Sequence, residues 1–356
     1  METEVVTDTA GFRALKTKWD DLLTRVQLPT PFLTHEWLCT WWEHFGRPGA
    51  LRLVCVYDGD TLLGVAPLMA STLRVRGIPC FSLLSALGGV EADYHDFLLD
   101  HERRWDVLHE LLSYCVSELG NWQIVALGGV RGDSATNYLL PVVCSRLGLK
   151  LNSVGGLICP YVPLVGDGPD SWAAYRRRGV IQEYRRKQRV LGREHGAQVR
   201  LCRGDDAARA FAEFIRLHHA SWSARGGSKA IPTPAMEGFH REVAANLAAA
   251  GKLLVATLEV EDAAIAAWYC YLEGSTCFGY LPGWDPAYYN LSPGAVLHVA
   301  VIDHCQEAGY QEVDLLRGDE SYKFHFTKLA RATIQHGIAR SPRVARFHRL
   351  IEALGR

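Results

Sequence analysis

Apolar residues recur at helical spacing over residues 11–26 and 31–45, and two β-rich runs, 51–57 and 62–69, follow with an acidic turn between them. An apolar-periodic stretch of about 15 residues then stops at Gly120 and leads into a short strand-like run, 123–127, that ends at glycine. The same series returns later in the chain. Helical patterns at 206–224 and 235–250 precede β-rich runs at 253–260 and 264–272, and a helical run stopping at Gly309 feeds a strand at 312–316.

The return has a fixed step. Shifting the sequence by 189 places Val107, Leu108 and His109 on Val296, Leu297 and His298. It also places Glu118 on Glu307, Gly120 on Gly309, Leu127 on Leu316 and Asp96 on Asp285. The hairpins are offset by about 202 instead, so the first half has some 13 extra residues. A hairpin followed by a strand–helix–strand crossover predicts a mixed sheet with helices on its faces. The chain therefore reads as two duplicated α/β domains, 1–165 and 166–356, with the Pro- and Gly-rich stretch 160–169 as either a linker between them or a strand and loop inside one fold.

Composition narrows the class without naming it. With 356 residues, 48% hydrophobic and 22% charged, the chain can bury two ordinary cores. The most apolar stretch, 286–302, is broken by Asn290, Ser292, Pro293, Gly294 and His298, so no transmembrane helix is expected. Acidic Glu2, Glu4 and Asp8 stand where a secretory signal would be basic, which points to the cytoplasm. The ten cysteines are scattered without a CxxC pair, so core positions are expected for them and no metal. GxSxG, HExxH, Walker and GxGxxG patterns are absent, which leaves esterase, zincin, P-loop and Rossmann readings unsupported.

The net charge of −1 conceals two basic segments, 171–200 and 323–356, on an acidic remainder. Within the first, Ile181, Tyr184, Gln188 and Leu191 share one helical side while Arg178, Arg185, Arg186, Arg189 and Arg193 share the other. Such a basic face suits the phosphates of a nucleotide-linked donor, a sugar nucleotide or RNA, and equally a solvated surface. Asp314, Arg317, Asp319, Glu320, Tyr322 and Lys323 crowd the end of an apolar strand, where carboxylates or a tyrosine can move protons and cations can hold an anion. Ser292, Pro293 and Gly294 open a helix with an N-cap residue, a first-turn proline and a glycine that allows close backbone approach. His218 and Trp222 share a helical face, as core-lining or substrate-facing residues, while Trp37, Trp41 and Trp42 are expected to pack helices.

Several stretches together resemble a known family. PFLTHEWLCTWWEHFG from Pro31, LLGVAPL from Leu62, DYHDFLL from Asp93, the arginine-rich helix around Tyr184, LHHASW from Leu217, LSPGAVL from Leu291 and DLLRGDESYKFHF from Asp314 resemble the duplicated GNAT-like acyltransferases of the CelD/BcsL cellulose-biosynthesis type. These are distant relatives of the FemAB/FemX aminoacyl transferases. The resemblance implies tandem GNAT folds, with the acyltransferase domain proper in the second half. It further implies acetyl-CoA or another acyl-CoA as donor and a saccharide-type acceptor carrying an amine or hydroxyl, bound in a cleft between the domains.

On that reading Ser292, Pro293, Gly294, Arg185 and Arg189 hold the donor. Tyr322 is the acid, and Asp314 or Glu320 the base. Arg317, Lys323, Asp93, Tyr94, Asp96, His218, Trp222 and Asp285 contact substrate. LSPGA stands where acetyl-CoA enzymes carry a Q/R-x-x-G-x-G/A loop, so coenzyme A is implied by the resemblance alone. A Fem-type transferase using aminoacyl-tRNA and a non-catalytic scaffold in exopolysaccharide assembly are the competing expectations.

Overall fold

The computed structural model describes residues 1–223 and 226–346; Ala224 and the basic residues beyond 346 lie outside them. The described residues form two compact units, 1–157 with 332–346, and Ile158–Arg331.

Unit 1 opens with β1 (Glu2–Val6) and helices α1 (Thr9–Ala14), α2 (Lys16–Thr24) and α3 (His35–Phe45). Asp8 and Thr34 start α1 and α3 by accepting the Gly11 and Trp37 N–H groups at 2.8 and 3.2 Å. Trp37, Trp41 and Trp42 are all buried. Strands β2 (Leu51–Asp58), β3 (Thr61–Val75) and β4 (Ile78–Ala86) form an antiparallel meander, with β1 beside β2 and the short β5 (Leu98–Leu99) on β3. Helix α4 (Arg104–Ser117) then crosses over so that β6 (Ile124–Arg131) runs parallel to β4. Helix α5 (Thr136–Arg146) and β7 (Lys150–Pro163) follow. Val56, Ala66, Leu84 and Val125 from the sheet meet Leu108, Leu111 and Leu140 from α4 and α5 in one core.

Unit 2 repeats the plan. After α6 (Trp172–Tyr175) and α7 (Gly179–His195) come β8 (Gln198–Cys202), α8 (Gly204–Ser223), α9 (Pro234–Ala249), β9 (Leu253–Val260), β10 (Ala263–Glu273), β11 (Thr276–Trp284), α10 (Pro293–Glu307) and β12 (Glu312–Asp314). Strands β8 to β11 are antiparallel neighbours, and β12 is parallel to β11, as β6 is to β4. Helices α4 and α10 start 189 residues apart, the step of the sequence repeat. The acidic turn between β9 and β10 places Glu261 and Asp262 at φ 50° and 63°, the pair of left-handed residues that suits a tight hairpin.

Side chains alternate across β10. Trp268 and Cys270 join the core under α7 and α10, while Tyr269 packs on Phe211 and Phe214 of α8. Gly283 lets α8 come close, since a Cβ there would overlap the His218 backbone.

Two strands complete the sheets, one of them where a linker and a strand are competing expectations. Residues 160–163 end β7, and Tyr161–Pro163 pair with β12. The last strand, β13 (Ala330–Ala339), lies in the expected basic C-terminal segment yet pairs antiparallel with β6 of unit 1. Prolines at 160 and 163 read as breakers, but a strand tolerates them where no ladder N–H is required. Eight of the ten cysteines are buried and all ten are free. Among the described residues no helix is long and apolar enough to cross a membrane, and no group of three or more His, Cys, Asp or Glu side chains could hold a metal ion.

Candidate active site

The first turns of α10 gather the chemistry of unit 2 around a residue that sequence reasoning passed over. His298 interrupts the apolar run of α10 and is only 4% exposed. Its ring stacks on Trp268 at 3.9 Å between centroids and on Phe326 at 5.5 Å, and the edge of Tyr322 meets it at 5.8 Å. Nδ1 lies 2.5 Å from the Gly294 carbonyl oxygen, which can only accept, so Nδ1 carries the proton. Nε2 is thereby left as a lone pair with no partner among the described residues. Burial pushes the His298 pKa down to about 4, opposed by the bond to Gly294 and aided by the Lys323 charge. The ring is a neutral acceptor held in one orientation, which a general base requires.

The helix start beside it is unusual. Ser292 occupies the N-cap position, but at φ 50° and ψ 51° it is left-handed and its side chain caps no backbone N–H. Its hydroxyl instead takes a hydrogen bond from Lys187 Nζ of α7 at 2.9 Å. Pro293 follows at the first helical position, where a missing N–H costs nothing. The second and third N–H groups of α10, on Gly294 and Ala295, have no carbonyl within their own helix to bond. A cation and a helix N-terminus thus converge on one point. Close by, the parallel ladder between β11 and β12 holds only for Thr276–Glu312, Cys277–Val313 and Phe278–Asp314, although β11 continues to Trp284.

The 314–323 cluster is organised inward. Asp314 is fully buried; one carboxylate oxygen pairs with Arg331 at 2.6 Å and the other accepts the Leu316 N–H at 2.8 Å. Arg331 also pairs with Glu312 at 2.6 Å and lies over the Tyr161 ring at 4.0 Å. Lys323, 5% exposed, donates to the carbonyls of Leu316 and Arg317 at 3.1 and 2.6 Å and pairs with Glu320 at 3.0 Å. Its three donors are spent on its own loop, and the expected anion contact has no donor left to make it. That loop holds Leu316 at φ 58°, a strained value for a branched residue, gripped through its N–H by Asp314 and its carbonyl by Lys323. Arg317 is half-buried and Glu320 exposed. Tyr322 stays 36% exposed, with its hydroxyl pKa raised by the surrounding protein and then by Glu320.

The other expected residues take separate places. Arg185 forms two bonds to Asp303, at 2.6 and 2.9 Å, because at about 100° per residue it lies only about 40° from the buried Ile181. Arg189 is exposed. The residue of α7 that reaches the α10 start is Lys187. His218 lies on the opposite face of β10 from His298, with Nδ1 on the Pro282 carbonyl at 2.9 Å and Nε2 on Ser228 at 2.7 Å. Trp222 packs beside it at 6.3 Å. Asp285 caps the 3-10 turn that leads toward α10, accepting the Ala287 N–H at 2.9 Å.

In unit 1, Asp93 and Tyr94 are buried, and Asp96 accepts from Ser134, Thr136 and the Phe97 N–H at 2.5, 2.5 and 2.8 Å. Burial raises Asp96 to about 6 against the pull of those bonds. Asp93 and Tyr94 thus lie in the interior of unit 1, while half-buried Asp96 lines a pocket of that unit with His101, Arg104, Ser134 and Thr136.

These features define a class before they define a reaction. The architecture is that of two tandem GNAT-like domains, and the profile of the acetyltransferase (GNAT) domain matches residues 177–324, which include Lys187, Ser292, His298 and Tyr322. FemX is similar in structure, with a TM-score of 0.64 at 11% identity over 94% of this chain and 97% of that one. The C-terminal domain of a putative lysylphosphatidylglycerol synthetase from Agrobacterium fabrum gives 0.56 at 12% identity, over 95% of each chain. L-PGS from Bacillus licheniformis gives 0.55 at 12%, over 92% of this chain and 94% of that one. No curated protein sequence matches the chain.

Proposed function

We propose that unit 2 is an acyltransferase that moves an acyl group from acyl-CoA to an amine or hydroxyl of a saccharide-type acceptor. The observation that carries this reading is His298, whose Nδ1 is pinned to the Gly294 carbonyl while Nε2 stays unpaired. Donor phosphates fit the α10 N-terminus, where Lys187 and the free N–H groups supply positive charge. An acyl thioester supplies an electrophilic carbonyl and a thiolate leaving group.

His298 Nε2 takes the proton from the acceptor as the new C–N or C–O bond forms. Tyr322, kept protonated by its raised pKa, gives a proton as the C–S bond breaks. The base role passes to His298 because both Asp314 oxygens are already engaged. The saccharide acceptor rests on the resemblance to CelD/BcsL-type proteins.

A second reading, an aminoacyl-tRNA donor, is favoured by a cavity of about 360 Å³ lined by Arg176, Arg177, Gln182 and Arg185. Release of free thiol from a panel of acyl-CoAs, with amino and hydroxyl saccharides as acceptors, tests the first reading. No thiol release and no shift in unfolding temperature with any acyl-CoA overturns it. Binding of aminoacyl-tRNA that weakens steeply with salt would then support the second.

A further inference from the structure

Unit 1 contains a hydrogen-bonded relay that the proposed transferase does not use. Ser153 on β7, His336 on β13 and Asn137 in the first turn of α5 are linked in series: Ser153 Oγ lies 2.8 Å from His336 Nδ1, and His336 Nε2 lies 2.8 Å from Asn137 Oδ1. The direction of the relay is fixed from its far end. Asn137 Nδ2 lies 2.7 Å from the Arg131 carbonyl and 3.1 Å from that of Gly132, and only the NH2 side of the amide can donate to them. The amide oxygen must then face His336, so His336 Nε2 carries the proton and Nδ1 is the lone pair. Ser153 donates its hydroxyl proton to that lone pair.

We infer that Ser153, His336 and Asn137 form a nucleophile, base and positioning residue able to cleave small activated esters or thioesters. Burial is graded as such a site needs: Ser153 is exposed, Asn137 half-buried and His336 only 4% exposed. The ladder between β13 and β6 shifts register beside the base, with the extra residue on β6 between its Leu127 and Val130 pairings, so His336 keeps its place in the β13 pleat opposite Leu127. A nucleophile hydrogen-bonded to a base that is oriented by a third group is the geometry nucleophilic catalysis requires, whatever the fold. The absence of a GxSxG pattern does not bear on it, because here the three residues come from three distant segments.

In the first step the Ser153 Oγ–carbonyl bond forms and the bond to the leaving alcohol or thiol breaks. The serine proton passes to His336 Nδ1 and on to the leaving group. Water then adds to the acyl-serine and gives its proton back through the same ring to Ser153, releasing the carboxylic acid.

The test uses the full chain with a fluorophosphonate probe and p-nitrophenyl acetate. Expected are covalent labelling mapped by peptide mass to Ser153, and ester hydrolysis at least tenfold above the Ser153→Ala protein, whose exposed substitution leaves the unfolding midpoint unchanged. Asn137→Ala should lower kcat with KM unchanged, which a loss of packing alone would not do. No labelling, labelling at another residue, or equal hydrolysis by Ser153→Ala overturns the inference. None of these results bears on thiol release by unit 2.

Discussion

His109 and His298 occupy the same position, sixth in α4 and sixth in α10, and they have different surroundings. His298 is clamped between two aromatic rings with its Nδ1 on a carbonyl. His109 is half-buried, with Nδ1 3.4 Å from the Ser113 hydroxyl in the next turn. The helix starts differ too. Serine, proline and glycine open α10 with Lys187 beside them, whereas α4 opens with Arg103 and Arg104 and carries Asp106 in its first turn. Asp106 lies 3.7 Å from Arg103, so charge at the start of α4 is engaged within its own first turn. The strand and helix order recurs in both units, while the residues proposed for donor binding and proton transfer lie in one.

The two histidines should differ most in their effect on turnover. His298→Ala should lower kcat by roughly 10²- to 10⁴-fold, the usual contribution of a positioned base, while His109→Ala leaves turnover within twofold. Equal losses in thiol-release assays would mean that the units share the reaction.

Next in size, Arg331→Met strands the fully buried Asp314. It should cost about 3–5 kcal/mol in denaturant unfolding, because an uncompensated buried charge remains. A change below about 1 kcal/mol would show that the 314–323 loop does not depend on that pair.

The pH dependence sharpens the contrast further. His298 and His336 are lowered to about 4 and His240 to about 3, all by burial. In each case the unfolded chain binds a proton that the folded chain refuses, so stability is full above about pH 6.5 and declines as pH falls toward the folded values. For His298 the loss amounts to about 3 kcal/mol when complete. Asp96 works the other way: raised to about 6, it favours the folded state as pH falls. Replacing His298 with Asn should flatten the acid limb of the unfolding midpoint, and replacing Asp96 with Asn should steepen it.

The smallest effect belongs to Lys187→Met, which should weaken acyl-CoA affinity about tenfold in calorimetry with little change in the unfolding midpoint, one charge-assisted hydrogen bond being lost. Unchanged affinity would remove the phosphate role from the start of α10.

Local pattern made much of this architecture legible. The helical stripes, the hairpins and the repeat step of 189 are short-range signals, and the elements stand where they indicate. What stayed hidden is non-local. Nothing near residues 330–339 announces pairing with β6 two hundred residues away, and prolines at 160 and 163 look like breakers until their strand partner is known. The site divided along the same line. Ser292–Gly294 and Tyr322 were visible as a helix start and a polar cluster. His298 looked like an interruption in an apolar run, although a histidine four residues after Gly294 could have suggested a bond back to its carbonyl. Lys187 was indistinguishable from its arginine neighbours until the helix was packed, and Lys323 and Asp314 looked free because their partners were carbonyls and a distant arginine.

Strand β13 also sets an order of assembly. A ribosome has delivered all of the residues of unit 2 before it makes the strand that pairs with β6, so the earlier half of the chain must wait for the later one with a sheet edge uncovered. Synthesis and folding therefore run in opposite sequence: the unit begun first is completed last.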